Sequence, residues 1–580
     1  MPTLNWIGKE KVLNHHIDVP FRVLKHIYSF NGKDVEKEIR DSNMIIHGDN
    51  LLSLKALLPQ FEGKVDVCYI DPPYNTGNEN WIYNDNVNDP KIQKWLGEVV
   101  GQEGEDFCRH DKWLCMMYPR LKLISKLLSV DGSIVISISH HELNNLIAIC
   151  RDIFERKQIV IATVQTSGGK PRSGFNYTNE YLVFIVPENI RPNPSEDLMN
   201  SYASPYHAMT LATFNQEERP NQTYPIYVNE LTCEIVGVGL SLDERIKKGL
   251  YSGEKKDFIF TSDGTPANCV SVWPISKKNE PCVWRLIPSR LIEDYRKGYI
   301  NVSKDKKGRF SIGYLSDGII SKIENGEFEI SHNENGTVIV HNFKTGGVSI
   351  PTLWLDKNYY TTNGGLEIKS IFGTKEAFSY PKPTKLIRDI LQRITSKDSI
   401  ILDSFAGSGT TGHAVLKLNA EDGGNRKFIL CEMGDYANTI TAERIKRVIN
   451  GVDSDNSLFK YNSSFNYYEL GEALFTEDGL LNENISEEKI REYVYYTETR
   501  QPLTRPRVNN SFLLDTFNNT GFYFYYKPNE LTTFGPDTLK IVTEKADSYV
   551  VYADKCTLSE DYMLKHNIVF KKIPRDIKQF

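Results

Sequence analysis

Four consecutive residues, Asp71-Pro72-Pro73-Tyr74, have the types that one particular reaction requires. The exocyclic amine of adenine or cytosine is a poor nucleophile because its lone pair is delocalised into the ring. Two acceptors aimed at its two hydrogens favour a more tetrahedral nitrogen and free that lone pair. The Asp71 carboxylate is one such acceptor and the Pro72 carbonyl is the second. Consecutive prolines stiffen the loop, since each fixes its own φ and Pro73 drives Pro72 toward an extended conformation. Acceptors set in advance need not reorganise during attack. Tyr74 offers a flat face for stacking a base, worth ~1–3 kcal/mol, which offsets part of the cost of flipping that base out of a duplex. Methyl transfer from a sulfonium would then need mainly in-line positioning. Without that chemistry, the same four residues are a rigid surface turn.

A second motif lies more than three hundred residues further on, in Asp403-Ser404-Phe405-Ala406-Gly407-Ser408-Gly409-Thr410-Thr411-Gly412. Gly407-x-Gly409-x-x-Gly412 follows an apolar run and opens a helical one, and Glu432 stands about 20 residues beyond, as in an adenosine-cofactor fingerprint. That acid suits a ribose hydroxyl pair, and Phe405 suits stacking or packing at the same pocket. No Lys-Ser/Thr follows the glycines, and His413 stands there instead, so a phosphate-binding P-loop is excluded. Taken alone, the turn accommodates a nicotinamide dinucleotide, S-adenosylmethionine or no ligand at all. A nicotinamide cofactor leaves Asp71 to Tyr74 without a role.

The elements that must position these residues alternate. Met44 to His47 and Val65 to Ile70 are strand-like, and Leu51, Leu52, Leu54, Leu57 and Leu58 recur between them at helical spacing. Strand, helix and strand within so short a stretch form a β-α-β unit and hence a parallel sheet. Asp71 then sits at the carboxyl end of a strand, where open parallel sheets hold their chemistry. The alternation continues with a helix over Leu114 to Leu128, a strand over Ile134 to Ile138 and a helix over Glu142 to Phe154. It lapses from about Pro192 to Ser349. It returns with a helix from Thr384 to Ile394, strands at Ser399 to Asp403 and Lys427 to Cys431, and a helix from Thr410 between them.

The expected fold is α/β, a doubly wound sheet assembled from two chain segments. The expected division is 1–43 as an N-terminal extension, 44–190 as the catalytic half of the core and 191–350 as an inserted domain. Residues 351–455 form the cofactor half, and 456–580 a small C-terminal α/β domain. The polar loop from Asn75 to Asn88 reads as an active-site lid or as a long polar connector, and the lid is favoured because long loops in compact domains are more often functional.

The 580 residues exceed what one core usually organises. With 40% hydrophobic and 25% charged residues, the composition is that of an ordinary globular protein. No apolar run approaches membrane-spanning length and no signal peptide is evident. Nine cysteines without a Cys-x-x-Cys pair read as reduced cytoplasmic thiols, and no metal site is expected. A net charge of −6 confines any nucleic-acid binding to local patches. One such patch runs from Lys277 to Arg309, where ten lysines and arginines face four acids. Trp284, Tyr295, Tyr299 and Phe310 interleave with the charges, and Arg285, Lys304, Lys306, Lys307 and Arg309 are candidate phosphate contacts. A solvated basic face is the competing interpretation.

The order Asp71-Pro72-Pro73-Tyr74 before Phe405-Ala406-Gly407-Ser408-Gly409 resembles the β-class amino-methyltransferases of DNA. The run to Asn78, with Gly48-Asp49-Asn50 upstream, resembles the modification (Mod) subunits of type III restriction-modification systems. So do Arg109 to Trp113 and the tail from His566 to Asp576. The resemblance implies an S-adenosylmethionine-dependent methyltransferase acting on adenine N6 in duplex DNA, with cytosine N4 or a DNA-recognition subunit guiding a nuclease as alternatives. It implies that Asp71, Pro72, Pro73 and Tyr74 hold the target base, and that 191–350 is the target-recognition domain. Asp403, Phe405, Ala406, Gly407, Ser408, Gly409 and Thr410 would surround the cofactor, with Glu432 on its ribose and Asp49 near its adenine. Lys382 and Pro383, within Tyr380-Pro381-Lys382-Pro383, would close over its methionine end. A homodimer and a restriction subunit are the implied protein partners. The chain departs from the pattern at Ser139-His140-His141-Glu142, where acidic residues are usual, and these histidines are assigned no role.

Overall fold

The computed structural model describes residues 4–76, 106–169, 175–194, 204–276, 278–304, 308–333, 335–341, 349–452, 461–504 and 511–578. They form two compact units, Met1–Asn193 with Ser349–Phe580, and Pro194–Val348.

The first unit is built on an 11-stranded sheet. In chain order the strands are β1 (Arg22–Phe30), β2 (Asp34–Val35), β3 (Asn43–His47), β4 (Val65–Ile70), β5 (Leu128–Ile138), β6 (Lys157–Gln165) and β7 (Asn179–Pro187). The C-terminal segment adds β8 (Leu353–Trp354), β9 (Ile400–Asp403), β10 (Lys427–Glu432) and β11 (Phe465–Ala473). In space they run β8-β6-β7-β5-β4-β9-β10-β3-β11-β1-β2. The sheet is thus assembled from two segments, with β9 and β10 wedged between β4 and β3. From β5 to β11 neighbouring strands are parallel, whereas β7 runs antiparallel to both β5 and β6.

Period-two alternation explains why the sheet is covered on both faces. Met44, Ile46, Cys68, Ile70, Ile134, Ile136, Leu402 and Ile429 point into one buried cluster. Their neighbours Ile45, Val67, Tyr69, Val135, Ile401, Phe428 and Leu430 point into another. Helices α1 (Asn50–Phe61), α2 (Asp106–Leu127) and α3 (Leu143–Ile153) close the first face. Helices α4 (Thr361–Phe372), α5 (Thr384–Ile394), α6 (Thr410–Asp422) and α7 (Glu443–Ile449) pack on the second. Each fully buried Leu or Ile contributes about 1.5–3 kcal/mol, so two continuous cores hold the strand ends rigidly.

The winding reverses at one place. From β4 the chain passes through α2 to β5 on one side, and from β9 through α6 to β10 on the other. The connections leaving β4 and β9 therefore diverge and open a crevice beyond their carboxyl ends, the usual ligand position in such sheets. Asp71 and Asp403 stand on its two sides.

Beyond residue 456 the chain differs from a purely separate small domain. β11 lies in the main sheet, pairing with β3 and β1, because Phe465 and Tyr467 alternate into the same core as Ile45. Only after it do helix α8 (Glu487–Thr499) and a four-stranded sheet (Leu513–Phe517, Thr520–Phe524, Ser548–Ala553, Ile568–Lys572) build a core of their own. The N-terminal segment is likewise no loose extension, since β1 and β2 form the sheet edge.

The second unit has short antiparallel pieces. A three-stranded sheet joins Ile226–Asn229, Ile235–Val238 and Cys269–Val272, and another joins His207–Ala208, Ile300–Lys304 and Phe310–Tyr314. Met209, Tyr224, Trp284, Leu291 and Ile300 fill its core.

Candidate active site

The loop after β4 is fixed from below and aimed outward. The indole of Trp113, fully buried on α2, donates to the Pro73 carbonyl at 2.8 Å. Asn75 ends the loop in the left-handed region (φ 55°), and its amide donates to the Arg109 carbonyl at 3.3 Å and to Glu142. Glu142 is fully buried and also accepts from Asn145 at 2.7 Å and meets His110 at 2.6 Å. The acid after the two histidines is therefore a loop anchor. His140 stacks on Tyr177 with ring centres 4.0 Å apart, and His141 meets the Ser139 hydroxyl at 3.0 Å. Among the described residues no three His, Cys, Asp or Glu gather as a metal site.

Above this anchor four polar side chains converge. The Tyr74 hydroxyl lies 2.9 Å from Asp71 Oδ1 and 2.9 Å from Glu180 Oε2, and its single proton serves one of them at a time. Lys382 Nζ donates to the Tyr74 oxygen at 2.6 Å and to Glu180 Oε2 at 2.7 Å, and lies 3.3 Å from Asp71 Oδ1. It also sits 4.8 Å from the centre of the Tyr74 ring. Burial pushes the Asp71 carboxyl above its ordinary range, against the Lys382 ammonium. Burial opposes the charge on Lys382, but the two carboxylates outweigh it and raise its pKa. Among the described residues no donor reaches Asp71 Oδ2 or the Pro72 carbonyl, so both acceptors are unfilled there.

Across the crevice the glycine turn is held by its own side chains. Asp403 is buried and accepts from the Phe405 amide at 3.0 Å and the Thr411 hydroxyl at 2.5 Å. Burial pushes its carboxyl up to about 7, against those two donors. Arg444, fully buried on α7, donates to Ser408 at 2.9 Å, Thr410 at 2.8 Å, Thr384 at 3.0 Å and Glu367 at 3.1 Å. One guanidinium thus staples the turn to the starts of α5 and α6, and to α4. Glu432 collects the Gly407 amide at 2.7 Å and the Gly434 amide at 2.8 Å, and burial raises its pKa. Phe405 is buried in the core beside α1 and α2. A second aromatic ring, that of Phe378, lies 3.3 Å from where a Gly407 Cβ would stand.

Residues 65–443 match the family described as DNA methylase. The chain belongs to that family. The chain is 28% identical over 462 residues to the type III restriction-modification enzyme EcoPI Mod subunit of Escherichia phage P1, covering 75% of the chain and 64% of that relative. It thus spans just under two thirds of the Mod subunit's length. It is also 28% identical over 424 residues to the type II methyltransferase M.KpnI of Klebsiella pneumoniae, covering 70% and 84%. Among solved structures, the M1.HpyAVI–SAM complex is matched over 69% of this chain and 97% of its own at 11% identity, with a TM-score of 0.27.

The remaining sequence-derived candidates lie as follows. Asp49 caps α1 through the Leu52 amide at 3.0 Å and faces Arg120 at 3.5 Å, while the Gly48 amide donates to the Glu432 carbonyl. Pro383 precedes α5, and the Lys382 carbonyl accepts from Thr410 at 3.3 Å. In the second unit Arg285, Lys304 and Arg309 are exposed, Lys304 lying over the Phe310 ring at 5.0 Å. Trp284 and Tyr299 are buried, and Arg290 and Lys297 pair with Asp294 and Glu293, so packing and local pairing explain much of the mixed aromatic and basic stretch. Lys277, Lys306, Lys307 and most of the expected lid, from residue 77 on, lie outside the described residues.

Glu180 was not foreseeable as a site residue. It heads an apolar strand like many surface acids. Only the antiparallel direction of β7, which pairs Tyr181 with Ile138, brings it to the carboxyl-end edge.

Proposed function

We propose that this chain is a site-specific DNA methyltransferase that transfers a methyl group from S-adenosylmethionine to adenine N6 in duplex DNA, as the modification subunit of a type III restriction-modification system. One observation carries the reading. Among the described residues, Asp71 Oδ2 and the Pro72 carbonyl are two unfilled acceptors on a rigid loop, beside the Tyr74 ring, at the switch point of the sheet. That set is built to receive the two hydrogens of an exocyclic amine and to stack its base.

The donor set favours a sulfonium over a dinucleotide. Asp71 and Glu180 set two carboxylates against the one ammonium of Lys382, while Asp403 and Glu432 are engaged within the turn. This excess of acid attracts a positive ligand and disfavours a pyrophosphate. S-adenosylmethionine supplies, when bound, a methyl group on a positively charged sulfur. Gly407 and Gly409, both at positive φ, present bare backbone on that side. Glu432 would hold the ribose, Asp49 the adenine side, and Lys382 with Pro383 the methionine end. The residues of this chain then bind, orient and exclude water, while the acceptor pair localises the lone pair on the target nitrogen.

Similarity to relatives named as Mod subunits of type III restriction-modification enzymes supports DNA as substrate and a restriction subunit as partner, and a duplex substrate and a homodimer are proposed with them. In the second unit, Lys304 and Arg309 border the hairpin of Ile300–Lys304 and Phe310–Tyr314 and, with Arg285, are the proposed phosphate contacts. Single-molecule sequencing of DNA from cells expressing this chain, beside Asp71→Ala, tests the reading. N6-methyladenine on one strand of a short asymmetric motif, lost in the variant, is expected. N4-methylcytosine would overturn the base assignment, and equal modification by the variant would remove Asp71 from the chemistry.

A further inference from the structure

The geometry points to Glu180 as a positioning residue for Asp71, acting through Lys382 and Tyr74: it holds the ammonium and the phenol on Oδ1, so that Oδ2 is left to receive the target amine. This rests on the methyl-transfer reading. Glu180 heads β7, Lys382 precedes α5 and Tyr74 follows β4, so three elements must agree for the cluster to form. Lys382 lies closer to Glu180 (2.7 Å) than to Asp71 (3.3 Å), so its ammonium is drawn toward Glu180 while still touching the acceptor. Without Glu180, Lys382 and Tyr74 have Asp71 as their remaining acid. A tighter pair would draw the carboxylate toward the ammonium and turn Oδ2 away from the crevice. Without Lys382, two half-buried carboxylates share one phenol proton, and one of them takes up a proton of its own. A protonated Asp71 donates where it should accept.

Among the described residues, the charged and titratable groups facing Asp71 are Lys382 before α5, Glu180 on β7, Tyr74 on its own loop, Tyr69 on β4 and Asp403 on β9. Glu180→Gln removes a negative neighbour, so the Asp71 titration midpoint falls. Lys382→Met removes the positive one, so it rises. Each shift should be about one unit, in opposite directions. A residue that merely supports the fold would not produce that signature.

The experiment uses the full chain with carboxyl-13C aspartate, the Asp71 signal being assigned by its loss in Asp71→Asn. Midpoints are followed by NMR in the wild type, Glu180→Gln, Glu180→Asp and Lys382→Met. Glu180→Asp keeps the charge and should restore most of the wild-type midpoint. Single-turnover methylation of a duplex carrying the sequenced motif is measured on the same proteins. At saturating S-adenosylmethionine, Glu180→Gln should lower the single-turnover rate at least tenfold, and the acid limb of its pH profile should move down with the Asp71 midpoint. Midpoints that coincide in all four proteins, or a full rate in Glu180→Gln, overturn the proposal. A wild type that transfers no methyl overturns the functional reading instead, and the NMR midpoints still decide the role of Glu180.

Discussion

Asp403 shows how a single buried acid shapes a turn. Both of its oxygens are engaged within the glycine turn, and burial pushes its carboxyl from 3.8 up to about 7. An aspartate raised in the folded state binds its proton more tightly there than in the unfolded chain. Stability therefore falls as pH rises from 3.8 to about 7 and stays lowered above that window. Asparagine keeps an acceptor for the Phe405 amide, and Thr411 can reverse its hydroxyl to accept from the new amide. Asp403→Asn should match or trail the wild type in melting temperature at pH 5 and exceed it at pH 8, a difference worth a few kcal/mol. A constant offset across that range would contradict the assignment. The sequence exposed this residue as the end of a strand before a glycine turn, and so suggested ligand contact. It did not expose Thr411 and Phe405 as the carboxylate's partners, because that pairing depends on how the turn closes. Glu180 and Arg444 were hidden for the same reason, since neither has a local signal and both act across elements distant in sequence.

At the scale of elements, the three glycines of the turn have two different jobs. Gly407 is at φ 52°, and an added Cβ would meet the Phe378 ring at 3.3 Å, on the side where the cofactor is proposed to bind. Gly412 lies inside α6, where a Cβ would meet Ile445 Cδ1 at 2.8 Å and Leu430 Cδ1 at 3.1 Å, within the core. Gly407→Val should thus weaken S-adenosylmethionine binding at least tenfold in calorimetry. Gly412→Ala should cost about 1–3 kcal/mol in denaturant unfolding, with affinity retained by the folded protein. Equal effects on affinity would mean that the turn moves as one body. The helices and strands around both motifs were legible because their periods are clean: α5 spans Thr384–Ile394, and β9 and β10 end within a residue of their expected limits. β1 was not legible. Its nine residues mix Lys25, His26 and Ser29 with apolar ones, and its partner β11 lies more than four hundred residues away.

For the whole molecule, the question is whether the second unit is an insertion that the first can lose. The first unit ties down both junctions at the end of one helix. The Asn193 amide donates to the Arg393 carbonyl at 2.8 Å, and the Asn193 side chain donates to the Gln392 and Thr395 carbonyls at 2.9 and 2.7 Å. The Arg393 guanidinium donates to the Ser349 carbonyl at 2.6 Å. Asn193 and Ser349 are thus held within reach of the same residue, and a flexible linker of about eight residues spans such a gap, at roughly 5–6 Å × √n. Pro194–Val348 also has apolar clusters of its own around Trp284, Ile320 and Trp273. Replacing 194–348 by a Gly-Ser linker should leave a chain that unfolds cooperatively, binds S-adenosylmethionine with near-native affinity and methylates no defined motif. Retained sequence-specific methylation would move recognition to the first unit. Loss of cooperative folding would mean that the two units share stability, and the recognition role would then need to be tested by exchanging the second unit between relatives.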